Sequence, residues 1–170
     1  MEKINFYYIR QILLYAIVLL CFLAITVVIA KADDIYLNDK KVVVNDNTVS
    51  CLAENMYWEA RNQSKAAMLA VSHVVMNRVA DSRYPDDICE VIYQGPTRKS
   101  WKNPHTQIPV RNRCQFSWYC DGKSDIPPKA DLVLWFETRK LAEEFLFNYR
   151  WLIDTTDGAT HYHAYYVTPS

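Results

Sequence analysis

The chain has 170 residues with 19 basic and 19 acidic side chains, so its formal net charge is zero. This length suits one ordinary domain with an appendage. Residues 33–170 carry 16 basic and 18 acidic residues, a net charge of −2, without a polybasic run. This balance excludes nucleic acid from the expected partners, because nucleic-acid binding depends on a basic surface.

An uncharged apolar run occupies residues 11–30, and Lys3 and Arg10 precede it. Twenty apolar residues are just enough to span a membrane. The basic residues before the run predict a cytoplasmic N-terminus and export of the remainder across the inner membrane to the periplasm. Ala30 and Ala32 also fit the small-residue positions of a signal-peptide cleavage site. Two alternatives therefore stay open for residues 1–32: a retained membrane anchor, or a signal peptide whose removal releases the protein.

Four of the five cysteines lie after the apolar run, namely Cys51, Cys89, Cys114 and Cys120. An even number of cysteines in an exported domain predicts up to two disulfides, and sequence alone leaves three connectivities open. We expect at least one bridge, with Cys114–Cys120 as the first candidate because that loop is short. Four buried thiols are the alternative.

The first elements after the apolar run are a linker and two helices. Residues 33–47 are polar with a short β-branched run, which predicts a linker containing at most a short strand. Residues 48–170 are expected to form the single folded domain. Thr48 or Ser50 can cap a helix that runs to about Arg61, and Ser64 can cap a second helix over residues 65–82. Apolar residues cover most of the circumference of the second helix, so we expect it to be central and buried.

The second half of the domain combines long loops with one further long helix. Pro85 at a first-turn position, followed by Asp86 and Asp87, predicts a short helix. Residues 95–128 predict long loops, which are often functional. Residues 130–150 form an amphipathic helical pattern, and the aromatic, β-branched residues 159–170 predict a strand or extended segment. The expected class is one helix-dominated α+β domain.

Glu59 is the first candidate for chemistry because it falls on an apolar stripe of its predicted helix. At about 100° per residue it shares this stripe with Leu52 and Met56, whereas Arg61 projects from the opposite side. A carboxyl group in an apolar wall retains its proton more readily and can serve as the general acid that cleavage of a glycosidic bond requires. The alternative is a structural salt bridge to Arg61 or Arg78, or a role near the helix end.

His161 and His163 flank Tyr162 near the end of the chain. On a strand the two histidines would point to the same face, as a pair of metal ligands does. No HExxH or CxxC motif accompanies them, so we predict no metal site and no cofactor. We instead expect these three residues to hydrogen-bond and stack on a ligand in a cleft.

The segment between two cysteines supplies four more candidate substrate-binding residues, Gln115, Phe116, Ser117 and Trp118. A bridge between Cys114 and Cys120 would hold their side chains in one geometry. Aromatic and amide groups on a fixed loop suit sugar faces and N-acetyl groups. Two alternatives stay open: the segment is an aromatic plug of the core, or Cys114 is a catalytic thiol paired with His163.

Several blocks in order resemble the SleB-type cell-wall hydrolases, the family of the spore cortex-lytic enzymes. The blocks are CLAENMYWEARNQS, AVSHVVMNRVADSRYPDDICEVIYQ, CQFSWYCDG and ATHYHAYYVTP, from about Cys51 to Pro169. The resemblance implies a lysozyme-superfamily fold, related to the soluble lytic transglycosylases, and action on the glycan strand of peptidoglycan. The glutamate of the EAR motif is the family's catalytic acid, and that position is Glu59 here.

The chain departs from the family pattern after this motif. Asn62, Gln63 and Ser64 stand where the family usually has Gly-Glu-Pro, and Ala67 and Met68 replace a Gly-Gln pair. Gln63 removes a second carboxylate next to the expected site, a change that bears on substrate affinity.

Within that activity we expect lytic transglycosylation between N-acetylmuramic acid and N-acetylglucosamine, which gives 1,6-anhydromuramic ends, with hydrolysis by water as the alternative. Transglycosylation needs one acid/base, Glu59, and no second carboxylate. Two other classes stay open: a metal-dependent amidase that uses His161 and His163, and a non-catalytic wall-binding module.

Overall fold

The computed structural model describes residues 6–29 and 34–162, which fall in two separate units, Met1–Ala32 and Asp33–Ser170. The described part of the first unit is one helix, α1 (Phe6–Ile29). Within the described ranges, no helix is both long enough and apolar enough to span a membrane. This finding does not support the expectation that residues 11–30 anchor the chain in a membrane.

The second unit begins with an antiparallel hairpin of strands β1 (Ile35–Leu37) and β2 (Lys40–Val42). Ile35 and Val42 face each other in the hairpin and are buried in the core. Lys40 Nζ also donates a hydrogen bond to the carbonyl oxygen of Val79 at 2.8 Å. Residues 33–47, which the sequence predicts as a linker, therefore include a hairpin that packs on the domain.

Four helices form the body of this unit: α2 (Asp46–Ala60), α3 (Lys65–Ala80), α4 (Ile88–Ile92) and α5 (Leu132–Asn148). Helix α2 contacts the other three, so it, rather than the helix predicted over 65–82, occupies the centre. The core includes large apolar side chains from every one of these helices, among them Leu52, Met56, Val75, Val79, Ile88, Ile92, Phe145 and Leu146. Each such side chain contributes about 2 kcal/mol through its removal from water.

Hydrogen-bonded caps fix where the helices begin. Asn45 caps α2 in a reciprocal capping box, in which Thr48 N donates to Asn45 Oδ1 at 3.0 Å and Asn45 N donates to Thr48 Oγ1 at 2.9 Å. The prediction of Thr48 or Ser50 as the cap was wrong, because Thr48 is the third helical residue of this box. Ser64 caps α3 as predicted, through its side-chain oxygen and Ala67 N.

The short helix and the loops differ from their sequence predictions. Asp87 caps α4 through Glu90 N at 3.0 Å, so Pro85 precedes the cap instead of occupying the first turn. The predicted loop region 95–128 contains a second hairpin, β3 (Thr97–Lys99) with β4 (Gln107–Pro109), and a 3-10 turn, Ser117–Cys120. The hairpin is largely exposed, so its sequence lacks the alternation that predicts a strand.

The predicted C-terminal strand falls partly outside the described residues. Residues 159–162 adopt no strand, and residues 163–170 are not described. The helices dominate and the few strands form short hairpins, which confirms the helix-dominated α+β class.

Candidate active site

Glu59 lies in the last turn of α2, where the apolar stripe of that helix reaches a cavity of about 250 Å³. Met56 and Leu52, one and two turns earlier on the same stripe, have no exposed surface. Glu59 itself is half-buried. The helix therefore buries the inner part of the stripe in the core and presents its only acidic member to the cavity.

Three other segments complete the wall of this cavity. The lining residues are Glu59, Arg78, Gln115, Phe116, Ser117, His161 and Tyr162. Helix α3 supplies Arg78, the loop between two cysteines supplies the next three, and the end of the described chain supplies the last two. The structure thus brings together six of the residues that the sequence proposes for catalysis or substrate binding.

Tyr162 binds the candidate acid directly. Its hydroxyl donates a hydrogen bond to Glu59 Oε2 at 2.7 Å. Partial burial of the phenol, and then the hydrogen bond and the charge of Glu59, raise the pKa of Tyr162, although the positive charge of Arg78 opposes this. Tyr162 therefore keeps its proton and acts as a donor, which leaves Glu59 Oε1 available for another partner.

Arg78 is the lining residue that sequence reasoning assigned only a structural role. It is 4 % exposed, and its Nε donates to the carbonyl oxygen of Thr160 at 2.8 Å. The predicted alternative, a salt bridge from Glu59 to Arg61 or Arg78, is not found in the described part of the chain, where Arg61 pairs with Asp131 at 3.6 Å. One feature of the sequence could have identified Arg78 as a site residue. It is the single basic residue in the last turn of α3, a helix that is apolar on almost all sides.

The loop between Cys114 and Cys120 is closed by one of two disulfides and held by a backbone hydrogen bond. Cys51 pairs with Cys89 and Cys114 pairs with Cys120, which confirms the prediction of disulfides and removes Cys114 as a candidate free thiolate. Gln115 N donates to the carbonyl oxygen of Gln94 at 2.9 Å. The Cys114–Cys120 bridge and this hydrogen bond hold Gln115, Phe116 and Ser117 against the cavity.

Trp118 does not line the cavity. It is 7 % exposed, its Nε1 donates to Asn55 Oδ1 at 3.0 Å, and its ring stacks on Trp58 with centroids 6.4 Å apart. The loop therefore combines both predicted roles, since its first three residues face the cavity and Trp118 plugs the core.

His161 lies in the cavity wall near two hydroxyl groups. Its Nε2 is 3.5 Å from Tyr84 Oη and its Nδ1 is 3.1 Å from Thr160 Oγ1. His163, the other predicted histidine, lies outside the described residues. Across the part of the chain that the structure describes, no three His, Cys, Asp or Glu side chains form a group able to hold a metal ion.

A hydrogen-bonded turn around Asp154 positions the segment that carries Thr160 and His161. Asp154 accepts from Thr156 N at 2.8 Å, Gly158 N at 2.9 Å and Asn77 Nδ2 at 2.9 Å. Burial alone would raise the pKa of Asp154, but the hydrogen bonds from Thr156, Asn77 and Gly158 lower it well below its usual value. The charged carboxylate therefore fixes the turn to α3.

Comparison with known proteins gives one match. The family model described as Cell Wall Hydrolase matches residues 62–170, about two thirds of the chain. This match begins just after Glu59 and includes every other residue that lines the cavity. Searches of curated proteins and of solved structures return no significant match. The chain belongs to the SleB-type cell wall hydrolase family.

Proposed function

We propose that this cell wall hydrolase is a lytic transglycosylase that cleaves between N-acetylmuramic acid and N-acetylglucosamine and leaves 1,6-anhydromuramic ends. The observation that carries the proposal is the composition of the cavity. Among its described lining residues, Glu59 is the single acid. Glycosidases that use water generally need two carboxyl groups, whereas an internal hydroxyl nucleophile needs one acid/base.

In the proposed mechanism, Glu59 serves twice. Its carboxyl proton passes to the bridging oxygen as the bond from that oxygen to the muramic C1 breaks. The resulting carboxylate then accepts the proton of the muramic C6 hydroxyl, whose oxygen bonds to C1 and closes the anhydro ring. Protons balance over the cycle, and no water is consumed.

Tyr162 supports this double role by positioning the carboxyl group. Its hydrogen bond holds Glu59 Oε2 at 2.7 Å, so Oε1 is the oxygen that exchanges the proton. A donor at Oε2 also stabilises the carboxylate that forms after the first proton transfer. Gln115 and Ser117 supply hydrogen-bonding groups for the N-acetyl and hydroxyl groups of the sugars.

The lysozyme-superfamily arrangement and export to the periplasm are parts of the same proposal. The resemblance of the EAR motif and the following blocks supports the fold. Two disulfides and the basic residues before the apolar run support export, since disulfides persist in oxidising compartments.

The test is mass spectrometry of the products from purified peptidoglycan, digested by the full chain in the presence of EDTA. Anhydro fragments should appear about 18 Da lighter than their hydrolysed equivalents, because one water is not consumed. Fragments at the hydrolysed mass alone would establish a water-using glycosidase instead. An amidase that uses the two histidines would release stem peptides from intact glycan, or would cleave only after zinc is added. Binding without any cleavage would indicate a wall-binding module.

A further inference from the structure

The strongest feature that the proposed mechanism leaves unused is the guanidinium of Arg78. Although Arg78 is only 4 % exposed, it lines the cavity that contains Glu59. Its Nε is satisfied by Thr160, but its Nη1 is buried and has no hydrogen-bond partner among the described residues. A buried donor without a partner costs free energy, so the guanidinium would be stabilised by an anion bound at the part of it that lines the cavity.

The charge of Arg78 is also only partly compensated, because burial lowers the pKa of its guanidinium more than Tyr84, Tyr162 and the charge of Glu59 together raise it. Its Cζ lies 4.9 Å from the centroid of the Phe116 ring and 5.6 Å from that of Tyr84, so aromatic rings form much of its surroundings. Its guanidinium forms no ion pair within the described ranges, whereas Arg83, which contacts the same Tyr84 ring, is paired with Asp81. A buried cation is stable when an anion accompanies it.

The proposed catalytic cycle makes this imbalance larger. Glu59 is the single acid among the described lining residues, and it must be protonated before it can donate to the glycosidic oxygen. In that state the cavity contains a guanidinium and no carboxylate. The missing anion must then come from the bound substrate.

We infer that Arg78 is a specificity-determining residue whose guanidinium binds a carboxylate of the substrate in this cavity. The inference rests on the proposed function, because peptidoglycan offers this group in two places. One is the lactyl carboxylate of a muramic residue that bears no stem peptide, and the other is a carboxylate of the stem peptide itself. A charge-assisted hydrogen bond from the guanidinium to either would pair its charge.

Binding to glycan strands of four kinds tests the inference and separates the two sources. The strands either carry stem peptides or have been stripped of them, and each kind is used with free carboxylates or with carboxylates converted to neutral amides. Dissociation constants are measured with the Glu59→Gln chain, which retains Arg78. Loss of one charge-assisted hydrogen bond corresponds to about ten- to hundred-fold weaker binding.

Preference for the free over the amidated form of stripped strands assigns the lactyl carboxylate, and the same preference with peptide-bearing strands assigns the stem peptide. Adding Arg78→Gln should abolish the preference, Arg78→Lys should retain part of it, and the control Arg83→Gln should leave it unchanged. Equal affinity for free and amidated strands in both pairs would overturn the inference. If Arg78→Gln does not fold, two measurements still test the inference. They are the affinities of the Glu59→Gln chain for free and amidated strands, and the same affinities after Arg78→Lys is added.

The readout is equilibrium binding, so it does not depend on the chemistry of cleavage. Hydrolysed instead of anhydro products would contradict the transglycosylase mechanism and leave the carboxylate preference as it was measured. An anhydro product with no carboxylate preference would support the mechanism and contradict the role of Arg78.

Discussion

Glu54 and Glu59 lie five positions apart on α2, and each accepts a hydrogen bond from a tyrosine hydroxyl. Tyr93 Oη donates to Glu54 Oε2 at 2.5 Å, and Tyr162 Oη donates to Glu59 Oε2 at 2.7 Å. Both glutamates are half-buried, but only Glu59 lines the cavity. Glu54 is therefore a matched control for Glu59, because it has the same kind of hydrogen bond but does not line the cavity.

Glu59→Gln should reduce the clearing of peptidoglycan turbidity by about 10²- to 10⁴-fold, the usual contribution of a general acid/base. The amide preserves the shape of the side chain but cannot supply the proton. Circular dichroism and thermal unfolding should match those of the unchanged chain. Glu54→Gln should leave turnover within about twofold, and near-normal clearing by Glu59→Gln would contradict the assignment.

Tyr162→Phe should lower kcat by about tenfold while KM changes less, because the lost hydrogen bond positions the acid and stabilises its carboxylate. The measurement is a full kinetic profile on soluble glycan strands. Tyr93→Phe removes the corresponding bond to Glu54 and should affect thermal stability without lowering kcat. Equal kcat for Tyr162→Phe and the unchanged chain would show that the bond has no part in catalysis.

His73 gives the molecule a pH dependence of stability. Burial lowers the pKa of His73 from its ordinary value of 6.5, and Asp154 at 3.7 Å opposes this only in part. The rings of Phe145 and Tyr149 are its other neighbours. The unfolded chain therefore binds a proton at a higher pH than the folded chain does.

The free energy of unfolding should accordingly be greatest above about pH 6.5 and should decrease as the pH falls from there towards the lowered pKa. Denaturant titrations at pH 7.5, 6.5 and 5.5, values chosen around the ordinary histidine pKa, measure this slope. His73→Gln should reduce the slope. An unchanged slope in that variant would assign the pH dependence to other groups. The low pKa of Asp154 does not contribute here, since its stabilisation is lost only at more acidic pH.

At the scale of elements, two disulfides join segments whose positions define the cavity. Cys51–Cys89 connects α2 to α4 across 38 residues, whereas Cys114–Cys120 closes a separation of 6 residues within the loop. Gly95 lies against this smaller bridge, and a Cβ there would be 3.0 Å from Cys114 Cα. The longer bridge therefore acts on the helix body and the shorter one on the cavity wall.

Replacing Cys51 and Cys89 together by alanine should lower the free energy of unfolding by about 4 kcal/mol, and replacing Cys114 and Cys120 by about 2 kcal/mol, from the loop lengths in the chain-entropy relation. Equilibrium unfolding in guanidinium measures both. The second pair should nevertheless cause the larger loss of activity, because its loop carries Gln115 and Ser117. The opposite order of activity loss would contradict the role of this loop.

At the scale of the whole molecule, the cavity is assembled from residues up to 103 positions apart, the separation of Glu59 and Tyr162. Helix α2 contacts α3, α4 and α5, and Glu59 in its last turn lines the same cavity as Arg78 near the end of α3. The turn around Asp154 then returns the chain to Asn77 and Arg78. Secondary structure alone could not place these groups together.

The proposed export to the periplasm predicts the state of the thiols. Alkylation of periplasmic protein without reductant should label none of Cys51, Cys89, Cys114 and Cys120, and labelling after reduction should modify all four. The exposed, unpaired Cys21 reports separately on whether the N-terminal segment is retained. Four free thiols in the periplasmic protein would contradict both the disulfides and the proposed compartment.

The sequence by itself was sufficient for the features that depend on local pattern. The 3.6-residue periodicity placed Glu59 on the stripe of Leu52 and Met56, and it located α3 and α5 to within two residues at each end. Ser64 was identified as a cap because a cap is a contact between near neighbours in the chain. The ordered blocks from Cys51 to Pro169 indicated the family, which the match over residues 62–170 confirms.

Only the tertiary structure decided which cysteines pair, which loop side chains face the cavity, and what surrounds Arg78. Gln115 and Trp118 are three residues apart, and the sequence predicts both as substrate-binding residues. In the structure, however, Gln115 lines the cavity and Trp118 is buried against Trp58. The hairpin was missed because, among the described residues 34–47, only Ile35 and Val42 are buried. Burial, pairing and the environment of a charge are set by contacts between residues distant in the chain, and local periodicity carries no information about such contacts.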